Sequence, residues 1–154
     1  MSMLADISIR IASHLLKNGV RSRQLSPSSH RRLKKILGSV SRELRREICR
    51  EVVHSNGRVV ASGPFKGMKI SGRASWGEGD MLPKYLGSYE EELAPFFDEM
   101  KSVPLDLVIN VGAAEGFYSV GTAMILMTDR VIAVDIDQAA LDVTQENADL
   151  NDVG

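Results

Sequence analysis

The sequence has little cysteine, few aromatic residues and no long hydrophobic run. Its single cysteine, Cys49, excludes an intramolecular disulfide and a zinc site built from cysteines. No apolar stretch approaches the roughly 18 residues that a membrane-spanning helix needs. The start of the chain also lacks the unbroken apolar region and cleavage site of a signal peptide. We therefore expect a cytoplasmic protein with no membrane span and no metal site.

What is present is a globular composition with an uneven distribution of charge. The 154 residues are 44% hydrophobic and 25% charged, as in an average soluble domain. Residues 1–60 carry 13 Lys and Arg and 4 Asp and Glu, whereas residues 61–154 carry 6 Lys and Arg and 16 Asp and Glu. The formal net charge of −1 therefore hides a basic part followed by an acidic part, which indicates two parts with different roles.

The basic part has the apolar spacing of helices, predicted over residues 3–18 and from Pro27 to Asn56. A basic helix can bind nucleic acid or acidic lipid. Glu43 and Glu47 lie among its arginines, however, so local ion pairs are an equal alternative. Residues 1–60 also contain no Phe, Trp or Tyr for stacking on bases. The sequence therefore disfavours nucleic acid as a partner and favours a solvated helix, or one docked on the acidic part.

The next segment predicts two short strands, at residues 58–62 and 68–71, on either side of a glycine-containing turn. A helix is predicted over residues 82–100, with an interruption near Pro95. Between them, Trp76 stands in a glycine-rich stretch, where it is either a lid on the substrate side or a core anchor.

From residue 105 onward, strands and helices alternate. The pattern predicts strands at residues 105–111 and 131–135, and helices at residues 116–127 and 137–150, the second capped by Asp137. This order implies a parallel βαβ unit with a right-handed crossover, and hence an α/β fold.

A glycine turn and an acidic residue in this unit suggest a cofactor site. Gly112 allows a sharp turn and close approach of a ligand, and Gly116 allows the following helix to pack tightly on the strand. Asp135 ends the second strand, where a carboxylate can accept hydrogen bonds from both hydroxyls of a ribose. Phe117 stands where a dinucleotide-binding motif requires its third glycine. The pattern therefore favours a nucleoside-containing cofactor other than NAD.

The motif Asn110-Val-Gly-Ala-Ala-Glu-Gly116, with Asp135 after the next strand, resembles that of the class I S-adenosylmethionine-dependent methyltransferases. The resemblance implies S-adenosylmethionine as cofactor, Asp135 on the ribose hydroxyls, Ile136 on the adenine and Asn110 near the amino-acid end. It also implies that the turn wraps the methionine and ribose through Gly112, Ala113, Ala114, Glu115 and Gly116. Ala114 replaces the family's middle glycine, which is acceptable if its backbone angles are ordinary. Glu115 is expected to be a solvated turn residue rather than a general base.

Upstream, residues 63–68 and 82–93 resemble the segment that precedes this motif in the FkbM-type methyltransferases. The family's Tyr-Glu pair is Tyr89-Glu90 here. The resemblance implies that these two residues line the amino-acid end of the cofactor, although a surface helix pair is an alternative. It also implies O-methylation of a small molecule or sugar.

The sequence thus predicts three parts: a basic helical region (1–58), a lead-in segment (59–104) and the start of a Rossmann-like cofactor-binding domain (105–154). The fold class is α/β, a partial methyltransferase fold comprising its first two βα units. Because the residues that act on the acceptor would follow Gly154, we expect either the N-terminal part of a longer enzyme or a truncated gene product, and we assign no catalytic residue. The alternative is a non-catalytic binding module that uses the basic N-terminal helices.

Overall fold

The computed structural model describes residues 27–73 and 78–154. The chain divides into two units, residues 1–48 and 49–154. The helix expected over residues 3–18, and Trp76, lie outside the described residues. The helices and strands are α1 (Pro27–Asn56), α2 (Glu78–Leu86), α3 (Ala94–Met100), β1 (Val108–Val111), α4 (Phe117–Ile125), β2 (Val131–Val134) and α5 (Gln138–Leu150).

Helix α1 has the predicted ends. Pro27 is its first residue, where a proline loses no helical hydrogen bond. The chain leaves the helix at Gly57, whose φ of 72° is left-handed and suits glycine. Within the first unit, Glu43 and Arg46 form an exposed ion pair at 3.6 Å, one of the local pairs that the sequence allowed. None of the described helices is long and apolar enough to cross a membrane.

The centre of the second unit is a βαβ arrangement. Strands β1 and β2 pair in parallel, with Val108 opposite Val131 and Val111 opposite Val134, which confirms the predicted parallel pairing. Both strands are shorter than predicted, since regular pairing spans four residues. Helix α5 begins as expected, because the Asp137 carboxylate accepts a hydrogen bond of 2.9 Å from the amide of Ala139.

The lead-in segment forms less regular structure than predicted. Instead of two strands, the structure has a single antiparallel bridge between Val59 and Lys69. The amide of Val60 still bonds the Met68 carbonyl at 2.9 Å, but the next amide, that of Ala61, bonds the Tyr85 carbonyl at 2.8 Å. The chain therefore leaves the hairpin after Val60, which ends the pairing.

The helix predicted over residues 82–100 is interrupted, but at Gly87 to Glu90 rather than near Pro95 as expected. Helix α2 begins at Glu78 and includes Pro83, and the chain turns at Gly87 with a φ of 77°. A Cβ at Gly87 would lie 2.0 Å from the Ser62 carbonyl oxygen, so only glycine fits this contact. Pro95 lies in the first turn of α3, where it favours the start of a helix instead of interrupting one.

One hydrophobic core joins the lead-in segment to the βαβ unit. The Phe65 ring, 2% exposed, makes edge contacts with the rings of Phe97 and Phe117, at centroid distances of 4.9 and 5.3 Å. Gly121 of α4 leaves the space for this ring. The cluster consists of Cys49, Val60, Phe65, Met68, Ile70, Met81, Tyr85, Phe97, Phe117 and Val120. Cys49 is thus buried, as expected for a small apolar side chain.

Two asparagines at the C-terminal end of α5 form hydrogen bonds to the backbone of Lys69 and Ser71 in the lead-in segment. Asn147, fully buried, accepts a hydrogen bond of 2.7 Å from the Ser71 amide and donates one of 2.7 Å to the Glu115 carbonyl. Asn151 bonds both the amide and the carbonyl of Lys69, each at 2.8 Å. The amide side chains therefore satisfy backbone groups that a neighbouring strand would otherwise pair.

Candidate cofactor site

The glycine turn connects the end of β1 to the start of α4. The amides of Gly112 and Ala113 both bond the Val134 carbonyl, at 2.8 and 3.1 Å, so the turn stays against the end of β2. Gly112 has a φ of 77°, and a Cβ built on it would meet no atom within 4 Å. The turn therefore needs glycine here for its backbone angle, and the space beside the glycine is open.

Gly116 ends the turn with a φ of 79° and precedes the first residue of α4. A Cβ at this position would lie 2.6 Å from the Thr144 side chain. The expected tight packing thus occurs, but against helix α5 rather than against the strand. The Thr144 hydroxyl also donates to the Ala114 carbonyl at 2.9 Å, which fixes the turn from the same side.

Ala114 departs from the expectation of ordinary backbone angles. Its φ is 48°, in the left-handed region that an alanine adopts at a cost of about 1–2 kcal/mol. The amide of this strained residue donates to the Asp135 carboxylate at 2.8 Å. The hydrogen bond helps to hold the conformation that a glycine would adopt without strain.

Asp135 is the acidic residue of the site, and its carboxylate is bound to backbone amides. One oxygen accepts from Asp137 at 2.9 Å and the other from Ala114 at 2.8 Å. These bonds, that from Asp137 first, lower the pKa of Asp135 below its ordinary value of 3.8. The carboxylate is therefore ionised at neutral pH. An ionised carboxylate offers about four acceptor positions, so hydroxyl donors can still bind it.

Asn110 lies on the face of β1 that is directed toward α4. Its side-chain amide donates to the buried Ser119 hydroxyl at 2.9 Å. This bond leaves the carbonyl oxygen of the Asn110 side chain as an acceptor near the turn. On the other side of the turn, Ile136 follows Asp135 with a fully exposed side chain, which provides an apolar surface next to the acid.

Glu115 is not the solvated residue that the sequence suggested. It is 2% exposed and forms an ion pair with Lys84 of α2, which is itself 8% exposed. The Lys84 ammonium also lies 4.8 Å from the centre of the Tyr89 ring. The partner is 31 residues away in the sequence, so neither the burial nor the pairing is visible in local patterns.

Tyr89 and Glu90 do not form a surface helix pair, because they lie in the turn between α2 and the 3-10 helix Glu91–Leu93. Glu90 has a left-handed φ of 47° and accepts a hydrogen bond from the Tyr118 hydroxyl. Burial, and then the bond to Glu90, raise the pKa of Tyr118, which therefore stays protonated. The Tyr89 ring contacts Phe117 at a centroid distance of 5.6 Å. Both residues of the pair thus contact the first turn of α4.

The structure brings together most of the residues that the sequence selected. Ala114 and Asp135 are hydrogen-bonded, and Tyr89 and Glu90 contact the helix that follows the turn. The residues that sequence reasoning missed are Lys84, Ser119, Thr144 and Asn147, all of which support the turn or β1. The sequence contains one signal for Asn147, because this polar residue lies on the buried face of α5 together with Val143.

These features fit the cofactor that the resemblance implied. A nucleoside needs a close approach to backbone, a polar group for its hydroxyls and an apolar surface for its base. The open glycine turn, the ionised Asp135 carboxylate and the exposed Ile136 side chain provide these three in turn. A positive φ at Ala114 shows that the turn keeps its glycine-like shape despite the missing glycine.

In a comparison with protein families, residues 96–154 match the family model described as ribosomal protein L11 methyltransferase (PrmA). Comparisons with curated proteins and with solved structures give no match. The matched residues contain β1, the glycine turn and Asp135, and they include none of the upstream residues, 63–68 and 82–93, that resemble the FkbM-type family. The match therefore supports a class I S-adenosylmethionine-dependent methyltransferase, and it does not support the FkbM-type family.

Proposed function

We propose that the chain binds S-adenosylmethionine in the turn between Gly112 and Gly116, with Asp135 as the residue that holds the ribose. One observation carries the proposal: the ionised Asp135 carboxylate lies at the carboxyl end of β2, bonded to the turn beside the open position at Gly112. Ligands of open α/β sheets bind outside the carboxyl ends of the strands. When bound, S-adenosylmethionine supplies a sulfonium methyl group for transfer to a nucleophile.

The residues of this chain would bind and orient the cofactor. The Asp135 carboxylate accepts hydrogen bonds from the ribose hydroxyls, and the exposed Ile136 side chain covers one face of the adenine. The backbone of Gly112 approaches the ligand closely, since no Cβ intervenes. Asn110, Tyr89 and Glu90 are our candidates for the amino-acid end, because Asn110 and Tyr89 lie next to the two ends of the turn.

Two classes of methyl acceptor follow from two different observations. The matched family model is described as a ribosomal protein L11 methyltransferase, which favours a protein acceptor. The upstream resemblance to the FkbM-type family favours a hydroxyl on a small molecule or sugar. We propose the protein acceptor first, because the family match includes the cofactor motif itself. Transfer of radiolabelled methyl to ribosomal protein L11, compared with transfer to a panel of sugars, separates the two.

Calorimetric titration with S-adenosylhomocysteine tests the cofactor site, with NAD as the control ligand. We expect saturable binding of S-adenosylhomocysteine and none of NAD. Asp135→Ala should weaken binding about 10- to 100-fold, because hydrogen bonds to a charged group contribute about 1.5–3 kcal/mol. Asp129→Ala removes an exposed acid between α4 and β2 and is the matched control, with unchanged affinity.

Circular dichroism should show that both variants remain folded. Equal affinity of the Asp135→Ala and Asp129→Ala variants for S-adenosylhomocysteine would remove the ribose assignment. Binding of NAD as tight as that of S-adenosylhomocysteine would remove the methyltransferase assignment and favour an oxidoreductase.

A further inference from the structure

The first unit exposes an amphipathic basic helix whose features the methyl-transfer site does not use. Residues 31–48 of α1 carry seven Lys and Arg and two Glu. At 3.6 residues per turn, this segment makes five turns and is about 27 Å long. Its aliphatic side chains recur every three or four residues and form one stripe, which we call the apolar stripe: Ile36, Leu37, Val40, Leu44 and Ile48.

Four of the five side chains of the apolar stripe are exposed in the described part of the chain, and Val40 is half-buried. Ile36 is 54% exposed and Leu44 is 44% exposed, large values for aliphatic side chains at regular helical spacing. The opposite face of the helix is basic and also exposed, with Arg31, Lys35, Arg42, Arg45 and Arg46. A helix with a continuous aliphatic side and a cationic side has the pattern of segments that lie in the plane of a membrane surface.

From this distribution, we propose that residues 31–48 bind the surface of an anionic membrane, with the apolar stripe in the lipid and the basic face at the headgroups. Charge complementarity selects this occupant. Seven cations against two acids attract anionic headgroups, and the long Arg and Lys side chains reach them from the flanks of the helix. The proposal is independent of the cofactor assignment.

Two other occupants fit the helix less well. Nucleic acid would use the basic face but would leave the apolar stripe in water, and residues 1–60 contain no Phe, Trp or Tyr to stack on bases. A second copy of the helix would bring the seven Lys and Arg of one segment close to the seven of the other, with only two Glu on each to offset the repulsion. An anionic surface supplies the opposite charge instead.

The test is sedimentation of the full chain with vesicles of phosphatidylcholine alone, or of equal parts phosphatidylcholine and phosphatidylglycerol. We expect binding to the mixed vesicles that weakens as salt rises, and little binding to phosphatidylcholine alone. Reversing three charges, with Arg42→Glu, Arg45→Glu and Arg46→Glu together, should weaken binding at least about tenfold. Removing aliphatic surface with Leu37→Ser and Leu44→Ser should have a similar effect.

Lys66→Glu with Lys101→Glu changes exposed charges of the second unit and should leave vesicle binding unchanged. An environment-sensitive dye at Leu44→Cys, in a Cys49→Ala background, gives a second readout that does not depend on a loss of binding. Its emission should shift to the blue on the mixed vesicles, whereas a dye at Arg42→Cys should shift much less.

Three results would overturn the proposal. The first is equal binding to both kinds of vesicle, or to neither. The second is unchanged binding after the two leucine substitutions, which would mean attraction by charge alone. The third is binding to duplex DNA at the same salt with no binding to the vesicles, which would assign the basic face to nucleic acid.

Discussion

The substitution Lys84→Met tests whether the buried ion pair supports the glycine turn. Lys84 is 8% exposed and Glu115 is 2% exposed, so methionine would fill much of the lysine volume while removing its charge. The Glu115 carboxylate would then remain in the core after losing its ion pair with Lys84. Breaking a buried pair from one side costs about 3–5 kcal/mol. The stability of a typical domain is about 5–15 kcal/mol, so the loss should be large and easily measured.

Two further variants separate the effect of charge from the effect of packing. In Lys84→Met with Glu115→Leu, both charges are replaced by apolar groups, and stability should return to within about 2 kcal/mol of the original chain. Lys101→Met breaks the exposed pair with Asp98, whose atoms are 2.7 Å apart, and should cost less than about 1 kcal/mol.

Urea unfolding followed by circular dichroism gives these free energies, and titration with S-adenosylhomocysteine gives the effect on the turn. We expect Lys84→Met to lower both the unfolding midpoint and the affinity. The reasoning is refuted if Lys84→Met is no more destabilising than Lys101→Met. It is also refuted if the double variant is as unstable as the single one, because the cost would then come from lost lysine packing.

Three other predictions concern the backbone and the acid of the site. Ala114→Gly should raise the unfolding free energy by up to about 1 kcal/mol, because relief of the left-handed strain exceeds the added entropy of the unfolded chain, whereas Ala113→Gly should lower it. Gly121→Ala should lower it by about 1–3 kcal/mol, since the new Cβ would lie 2.6 Å from a buried phenylalanine ring, whereas Gly38→Ala, with nothing within 4 Å, should increase helicity. Because backbone amides lower the pKa of Asp135, its ionised form stabilises the fold above the unfolded-state pKa, and this contribution is lost as pH falls below about 4. Urea unfolding at a series of pH values should therefore show that the unfolding free energy of Asp135→Asn falls less at acidic pH than that of the original chain. An equal fall for both proteins would contradict the assignment.

The features that the sequence predicted correctly depend on residues that are neighbours along the chain. The ends of α1 follow from Pro27 and Gly57, and the start of α5 follows from the Asp137 side chain, which accepts a hydrogen bond from the Ala139 amide. The parallel pairing of β1 and β2 follows from two short aliphatic runs separated by a helix. Each of these signals is local, so it does not require knowledge of the tertiary fold.

The predictions that failed depend on contacts between distant residues. Glu115 looked solvated because its partner, Lys84, lies 31 residues upstream. Gly116 was assigned to contact with a strand because nothing in the sequence shows that Thr144 would lie 2.6 Å from its missing Cβ. The helix predicted over residues 82–100 is interrupted at Gly87 rather than near Pro95, because Gly87 packs against the Ser62 backbone, again a distant contact.

These distant contacts bear on where the functional unit begins. The family match starts at residue 96, yet two of the groups that fix the glycine turn come from before that residue. The Lys84 ammonium pairs with the Glu115 side chain, and the Ser71 amide holds Asn147 in place while Asn147 donates to the Glu115 carbonyl. Each buried polar group that loses its partner costs about 1–3 kcal/mol. The lead-in segment is therefore a structural part of the proposed cofactor site, because it supplies a charge and hydrogen bonds that hold the glycine turn in its observed shape.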